Sequence, residues 1–358
     1  MGNYPVNRRR FVQGVVSATV TGGVTSMNNH TAANDDMPER AKFREHLLRS
    51  LGGPWPEPCP LEPEITETVS QEAYRVEYLS FLSEPDDRVP ALLLVPKGVD
   101  DKSPAPGICI WHQHAGNYDL GKSEPAGLGG NPMHYTGVEF AKLGYVVLCI
   151  DAIGFEDRQN PELANDGTLD NGGYERYLFL RYLVEGKTLA WKNILDMRRA
   201  ADYLQTRAEI IPDQLGCYGH SMGSTHTWLV GGWEPRFKAL VGNCCLPTYC
   251  GIHREQLLHC FPNFVPNIYP AADTPDIAAL IAPRPLHLNF GEHDRGSPID
   301  EARRGAEYIA EAYSKLGAKK NFSYHVEDGV GHVLSDAMWQ KTHEFFARHL
   351  PISDPKTR

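Results

Sequence analysis

Apolar residues along this chain fall into short, nearly unbroken runs separated by polar stretches with glycine and proline. Val89-Pro-Ala-Leu-Leu-Leu-Val95, Ile108-Cys-Ile-Trp111, Tyr145–Ile150, Gln214–Gly219, Leu240–Asn243 and Leu286–Phe290 are of this kind. Short apolar runs bounded by turn residues predict strands covered on both faces, as in parallel sheets. Tyr74–Ser83 and Val89–Val95 predict an antiparallel hairpin across Glu84-Pro-Asp-Asp, and Phe322–Val326 alternates as a further strand. Helical periodicity covers Leu189–Arg207 and points to helices over Tyr135–Leu143 and Asp336–His349. Strands interleaved with helices predict an α/β fold: a mostly parallel central sheet with helices on both faces.

Three longer connections interrupt this rhythm. Asn117–Pro132 is rich in glycine, Asp157–Tyr174 is polar, and Leu246–Pro275 is rich in proline and aromatic residues. Long connections in a compact domain are commonly functional covers, so these are expected as lid insertions over the strand ends. The chain divides into a leader-like segment at 1–33, an arm at 34–70 and a catalytic domain at 71–352.

The chemistry is concentrated where these strands end. Gly219-His220-Ser221-Met222-Gly223 stands between an expected strand and Ser224–Val230, which can continue as a helix. A strand, a G-x-S-x-G turn and a helix make a nucleophile elbow, whose glycines relieve crowding so that the serine stands exposed. Serine is a poor nucleophile at neutral pH and needs an imidazole to take its proton, with a carboxylate to orient that imidazole. Downstream, Asp294 lies just past the strand that ends at Gly291, and His332 lies in a Gly-x-Gly-His loop after Phe322–Val326. Both positions are at carboxyl ends of strands, where open parallel sheets build their sites. Ser221, Asp294 and His332 are therefore read as nucleophile, acid and base. Glu292 and Asp300 are the alternative acids, although Asp300 reads better as the start of a helix. Asp151 precedes the serine in the chain and is read as structural.

An oxyanion hole needs two fixed N–H donors. Met222, directly after the serine, supplies one. The other comes from the loop after Ile108–Trp111, where His114 and Gln113 are alternatives. Around them His112, His220, Glu124, Tyr118, Trp228 and Tyr249 are candidate substrate-binding residues. No metal ligand set is assigned, because Cys244, Cys245, Cys250 and Cys260 with His253 and His259 lack paired C-x-x-C spacing.

Seven segments together resemble the acetyl xylan esterase and dienelactone-hydrolase-like branch of the α/β-hydrolase superfamily. They are Val89–Pro96, His112-Gln-His, Glu124-Pro-Ala-Gly-Leu128, Gly219–Gly223, Ile281-Ala-Pro-Arg-Pro285, Gly291-Glu-His-Asp294 and Gly331-His332. The resemblance runs over roughly Lys42 to Leu350 and implies an α/β-hydrolase fold and a serine esterase needing no cofactor. Its leading substrate class is an acetylated carbohydrate. Two departures limit the transfer of activity. Dienelactone hydrolases proper use cysteine where this chain has Ser221, and glucuronoyl methyl esterases carry arginine where it has Met222.

Composition narrows the partners. The 358 residues carry a formal charge of −10. The first 33 hold three arginines and no acid, so setting them aside lowers −10 by three to −13. An acidic body without a basic cluster argues against nucleic acid and anionic membrane as partners; the small-molecule or saccharide ester expected as substrate is what the resemblance implies. Asn7-Arg8-Arg9-Arg10-Phe11-Val12 resembles a twin-arginine signal before the weakly apolar Val15–Val24. Export to the periplasm or medium is expected, with a cytoplasmic location if that signal is not used. Cys109, Cys149 and Cys217 read as buried core residues. The remaining cysteine pairing, the oligomeric state and the natural acyl and alcohol groups stay open.

Overall fold

A computed structural model describes residues 32–160, 171–244 and 246–352. Nine strands form one sheet in the order β1-β2-β3-β5-β4-β6-β7-β8-β9. The strands are β1 (Glu64–Ser70), β2 (Tyr74–Glu84), β3 (Asp87–Pro96), β4 (Ala105–Trp111), β5 (Val146–Ile150), β6 (Ile210–His220), β7 (Phe237–Asn243), β8 (Leu286–Gly291) and β9 (Phe322–Glu327). Strands β4 to β9 pair in parallel, and the hairpin β2–β3 joins them antiparallel through β3–β5.

The unbroken apolar runs have a direct cause. In β5, Val146, Leu148 and Ile150 face one core while Val147 and Cys149 face the other. In β4, Cys109 and Trp111 face the first, Ile108 and Ile110 the second. Side chains alternate with period two, so a strand covered on both faces has no polar position to spare. Helix α4 (Leu189–Thr206) contributes Ile194, Met197, Ala201 and Leu204 to the first core. Helices α2 (Thr136–Lys142) and α9 (Asp336–His349) contribute Val138, Phe140, Phe345 and Phe346 to the second.

The arm at 34–70 holds all but the first two residues of helix α1 (Ala32–Leu51), which buries Leu47 and Leu51 in the first core, and β1, which extends the sheet along β2. The expected leader covers residues 1–33, of which all but the last two lie outside the described residues. Part of the 157–174 connection also lies outside them. Its end begins helix α3 (Asn171–Val184), where a polar lid was expected. Among the described residues, no helix is long and apolar enough to cross a membrane.

Candidate active site

Strand β6 leads straight into helix α5 (Met222–Gly231), and Ser221 at the junction holds φ 58° and ψ −121°. A non-glycine residue at positive φ is strained and persists only where its surroundings hold it. Two features hold it here. The Ser221 N–H donates to the Asn243 carbonyl at 2.8 Å. The flanking glycines leave no room for side chains: a Cβ on Gly219 would stand 2.1 Å from the Gly223 carbonyl oxygen, and one on Gly223 would stand 2.4 Å from that of Trp111. The elbow glycines are thus required by close backbone approach, at Gly223 to the end of β4.

Three side chains converge across separate strands. The Ser221 hydroxyl donates to His332 Nε2 at 2.7 Å, and His332 Nδ1–H donates to Asp294 Oδ2 at 2.8 Å. The other Asp294 oxygen accepts the Gly296 N–H at 2.8 Å, so this buried carboxylate is held on both oxygens. Such a chain can pass a proton from hydroxyl to imidazole while the carboxylate keeps the imidazole in one tautomer. The alternative acids are engaged elsewhere. Glu292 accepts from the Gly329 N–H, and Asp300 is paired with Arg254 at the start of helix α8 (Ile299–Lys315).

The loop after β4 is held by its own histidines. His112 Nε2 accepts the Ala152 N–H at 3.0 Å, so its Nδ1–H donates to the Gln113 carbonyl at 2.7 Å. Burial pushes His112 down to about 4 and keeps it neutral. Gln113 donates its side-chain amide to Glu124, whose other oxygen accepts the Asn131 N–H. His114 Nδ1 accepts from Gly116, and its Nε2–H faces Glu175 at 3.2 Å. Tyr118 donates to the same Glu175 oxygen at 2.9 Å. His112, Glu124 and Tyr118, expected to touch substrate, therefore carry hydrogen bonds that shape this loop.

His220 lies beside the triad, its ring 5.3 Å from that of His332 and 4.6 Å from that of His134. It is buried with no hydrogen-bond partner on either nitrogen, and burial and the adjacent imidazoles hold it well below the ordinary histidine range. His220 and Gln113 line a cavity of about 10 Å³, room for at most one water.

Two expected wall residues need correction. Trp228 is buried in the first core on helix α5, and Tyr249 is buried there with its hydroxyl donating to the Asn263 carbonyl and accepting the Val265 N–H. Their aromatic character serves packing. Conversely, the sequence reading passed over the polar layer beneath the elbow. Asn243 donates to the Tyr218 hydroxyl at 2.8 Å, and Asn289 donates to Asn243. A buried asparagine within an apolar strand was the signal for each. Glu175 gave no such signal, since it stands in a polar segment.

In the cysteine-rich loop, two of the groups weighed as metal ligands are hydrogen-bonded within the protein. His259 accepts from Asn263 and donates to the Gly296 carbonyl, and Cys244 donates to the Val333 carbonyl. Cys245 lies outside the described residues. Elsewhere Asp151, Glu156 and Asp157 bring carboxylate oxygens within 4.8 Å of one another. The Lys122 ammonium binds all three, at 2.8, 2.7 and 2.6 Å, and so supplies the positive charge this cluster needs. Asp151 accordingly serves structure, as its place in the sequence implied.

Known proteins share this arrangement of strands. The glucuronoyl esterase from Solibacter usitatus superposes with TM-score 0.64 at 16% identity, over 87% of this chain and 93% of that one. Acetyl xylan esterase 1 from Thermoanaerobacterium sp. JW/SL YS485 superposes with TM-score 0.55 at 15% identity, over 90% and 99%. At these identities the likeness establishes the fold, the α/β-hydrolase fold expected from the motifs. In sequence, YtaP of Bacillus subtilis (strain 168), provisionally named a hydrolase, is 32% identical over 283 residues, covering 78% of this chain and 89% of its own. The Abhydrolase family model matches residues 12–332, spanning the elbow, the acid and the histidine, and the chain belongs to that family.

Proposed function

We propose that the chain is a serine esterase that removes short acyl groups, acetyl above all, from a polar alcohol such as a sugar. The single observation that carries this reading is the hydrogen-bonded series Ser221–His332–Asp294 at the carboxyl ends of β6, β9 and β8. In the first half-reaction the Ser221 oxygen attacks the ester carbonyl as its proton passes to His332 Nε2. The tetrahedral intermediate collapses, the alcohol leaves with that proton, and the acyl group remains on Ser221. Water then attacks the acyl-enzyme with His332 again as base, which releases the acid and restores the serine. Met222 N–H and a backbone N–H of Gln113 or His114 would receive the developing oxyanion.

The substrate preference has separate support. The proteins of similar fold include enzymes named for acetyl xylan and glucuronoyl esters. The test is Ser221→Ala, measured against p-nitrophenyl esters from acetyl to palmitoyl and against acetylated xylan. A loss of about three decades or more on acetyl esters with an intact fold is expected. Retained turnover would end the serine mechanism. Rising kcat/KM toward palmitoyl, or no acetate released from any acetylated sugar by the unmodified protein, would end the short-acyl carbohydrate assignment.

A further inference from the structure

A cleft of about 540 Å³ opens between the loop that follows His332 and the segment leading into helix α2. Leu334, two residues past His332, and Asp336 form one side with Trp339; Met133, Tyr135 and Glu139 form the other. Tyr135 directly follows His134, whose ring packs on His220 beside the elbow. The cleft is therefore built from the immediate chain neighbours of the site. Its volume lies in the range of roughly 300–1,000 Å³ that suits a small organic ligand.

Its chemistry is specific. Trp339 is half-buried and braced edge-on by Phe140 at 4.9 Å and Tyr218 at 6.2 Å. Tyr135 is likewise half-buried. Two aromatic side chains set beside the acceptors Glu139 and Asp336 suit a ligand with apolar C–H faces and hydroxyl edges. The lining includes these two carboxylates and no lysine, arginine or histidine, and the nearby Lys142 is tied to Glu139 at 2.8 Å. Such a lining disfavours an anionic ligand and, with its carboxylates, suits a long acyl chain poorly.

We infer that this cleft is the subsite for the alcohol half of the substrate, and that it takes an uncharged saccharide, one ring of which packs on Trp339 and Tyr135. The inference rests on the esterase reading for the word substrate, but the binding itself is measurable without turnover. In such a complex Asp336 and Glu139 accept from ring hydroxyls, and the acyl group reaches Ser221 past His332. None of the aromatic residues expected from the sequence to bind substrate lines this cleft. Tyr118 is committed to Glu175, and Trp228 and Tyr249 are in the core.

The experiment titrates full-length Ser221→Ala protein with xylotetraose, and with an aldouronic tetrasaccharide of similar size, by isothermal calorimetry. Saturable binding of xylotetraose is expected, weakened about tenfold by Trp339→Ala and by Tyr135→Leu, each of which removes an aromatic face. The acidic sugar should bind less well, and Asp336→Asn should narrow that difference. Far-UV circular dichroism and thermal unfolding, compared with the Ser221→Ala parent, show whether each variant folds; should Trp339→Ala fail there, Tyr135→Leu decides. No binding of xylotetraose, unchanged binding in the aromatic variants, or tighter binding of the acidic sugar would overturn the assignment. Sugar binding without ester turnover by the unmodified protein would sink the esterase reading alone; turnover without sugar binding would sink the cleft alone.

Discussion

Replacing Gly223 with alanine probes how the elbow is built, because the expected damage can be worked from one contact. The new Cβ would stand 2.4 Å from the Trp111 carbonyl oxygen and 2.9 Å from that of His112, both backbone atoms at the end of β4. A carbon meets a carbonyl oxygen comfortably at about 3.3 Å, so the two segments must part by roughly 0.9 Å. Overpacking of this kind costs about 1–3 kcal/mol of stability. The larger effect should be on rate. The separation moves Met222 and Ser221 against the Gln113–His114 loop, and a displacement near 1 Å at reacting groups costs about a hundredfold. Gly223→Ala should therefore lower kcat on p-nitrophenyl acetate by about two decades, with KM changed much less. Gly231→Ala, on the far end of the same helix, is the control: its Cβ would meet the Ile281 side-chain end at 2.7 Å and so should cost stability with little loss of rate. If Gly223→Ala keeps activity within threefold while folded, the contact does not set the geometry of catalysis and the reasoning fails.

Two further outcomes follow from the hydrogen bonds and the buried histidines. Asp294→Asn should lower kcat by about four decades. If its amide oxygen keeps the Gly296 N–H, its NH2 meets the His332 Nδ1–H, which forces the wrong tautomer. Glu292→Gln, at a carboxylate that accepts from the Gly329 N–H and lies 4.0 Å from His293, should cost far less, and the reverse order would reassign the acid. Stability should fall on acidification below about pH 6.5, the ordinary histidine value. Burial holds His112, His259 and His287 down to about 4, His226 to about 3 and His220 well below its usual value. Below pH 6.5 the unfolded chain gains protons that the folded chain refuses, so stability present above that pH is lost as pH falls toward 4. A slope of at least about 1.4 kcal/mol per pH unit is expected from urea titrations between pH 6 and 5, and a flat profile would refute it.

The sequence revealed most of the sheet because its central strands are covered on both faces. Runs such as Val146–Ile150 and Leu92–Val95 could be apolar throughout, and a strand of that kind announces itself. Strand β1 did not, since Glu64–Ser70 lies at the sheet edge with most side chains exposed. The same limit applies within the site. Ser221, Asp294 and His332 were legible because chemistry ties each residue type to a strand end and a chain order. Trp228 and Tyr249 were misjudged because an aromatic residue near a site looks alike in sequence whether it lines a wall or fills a core. Trp339 and Tyr135 were missed for the complementary reason: each stands in or beside a helix, where an aromatic residue reads as packing.

The segment Asn117–Pro132, expected as an insertion over the strand ends, is built around buried charge. It is strapped down at both halves. Lys122 is buried against Asp151, with its ammonium also on Glu156 and Asp157, and Glu124 takes hydrogen bonds from Gln113 and Asn131. Removing one partner of such a buried pair leaves an uncompensated charge and costs about 3–5 kcal/mol. The glycines serve tight approach: a Cβ on Gly121 would stand 2.2 Å from an Asp151 oxygen, and one on Gly130 would stand 2.6 Å from a Glu124 oxygen. Through Glu124 and Gln113 the segment holds the β4 loop beside the elbow, so under the proposed mechanism the charges buried around Lys122 would bear on catalysis by way of the backbone proposed to receive the oxyanion.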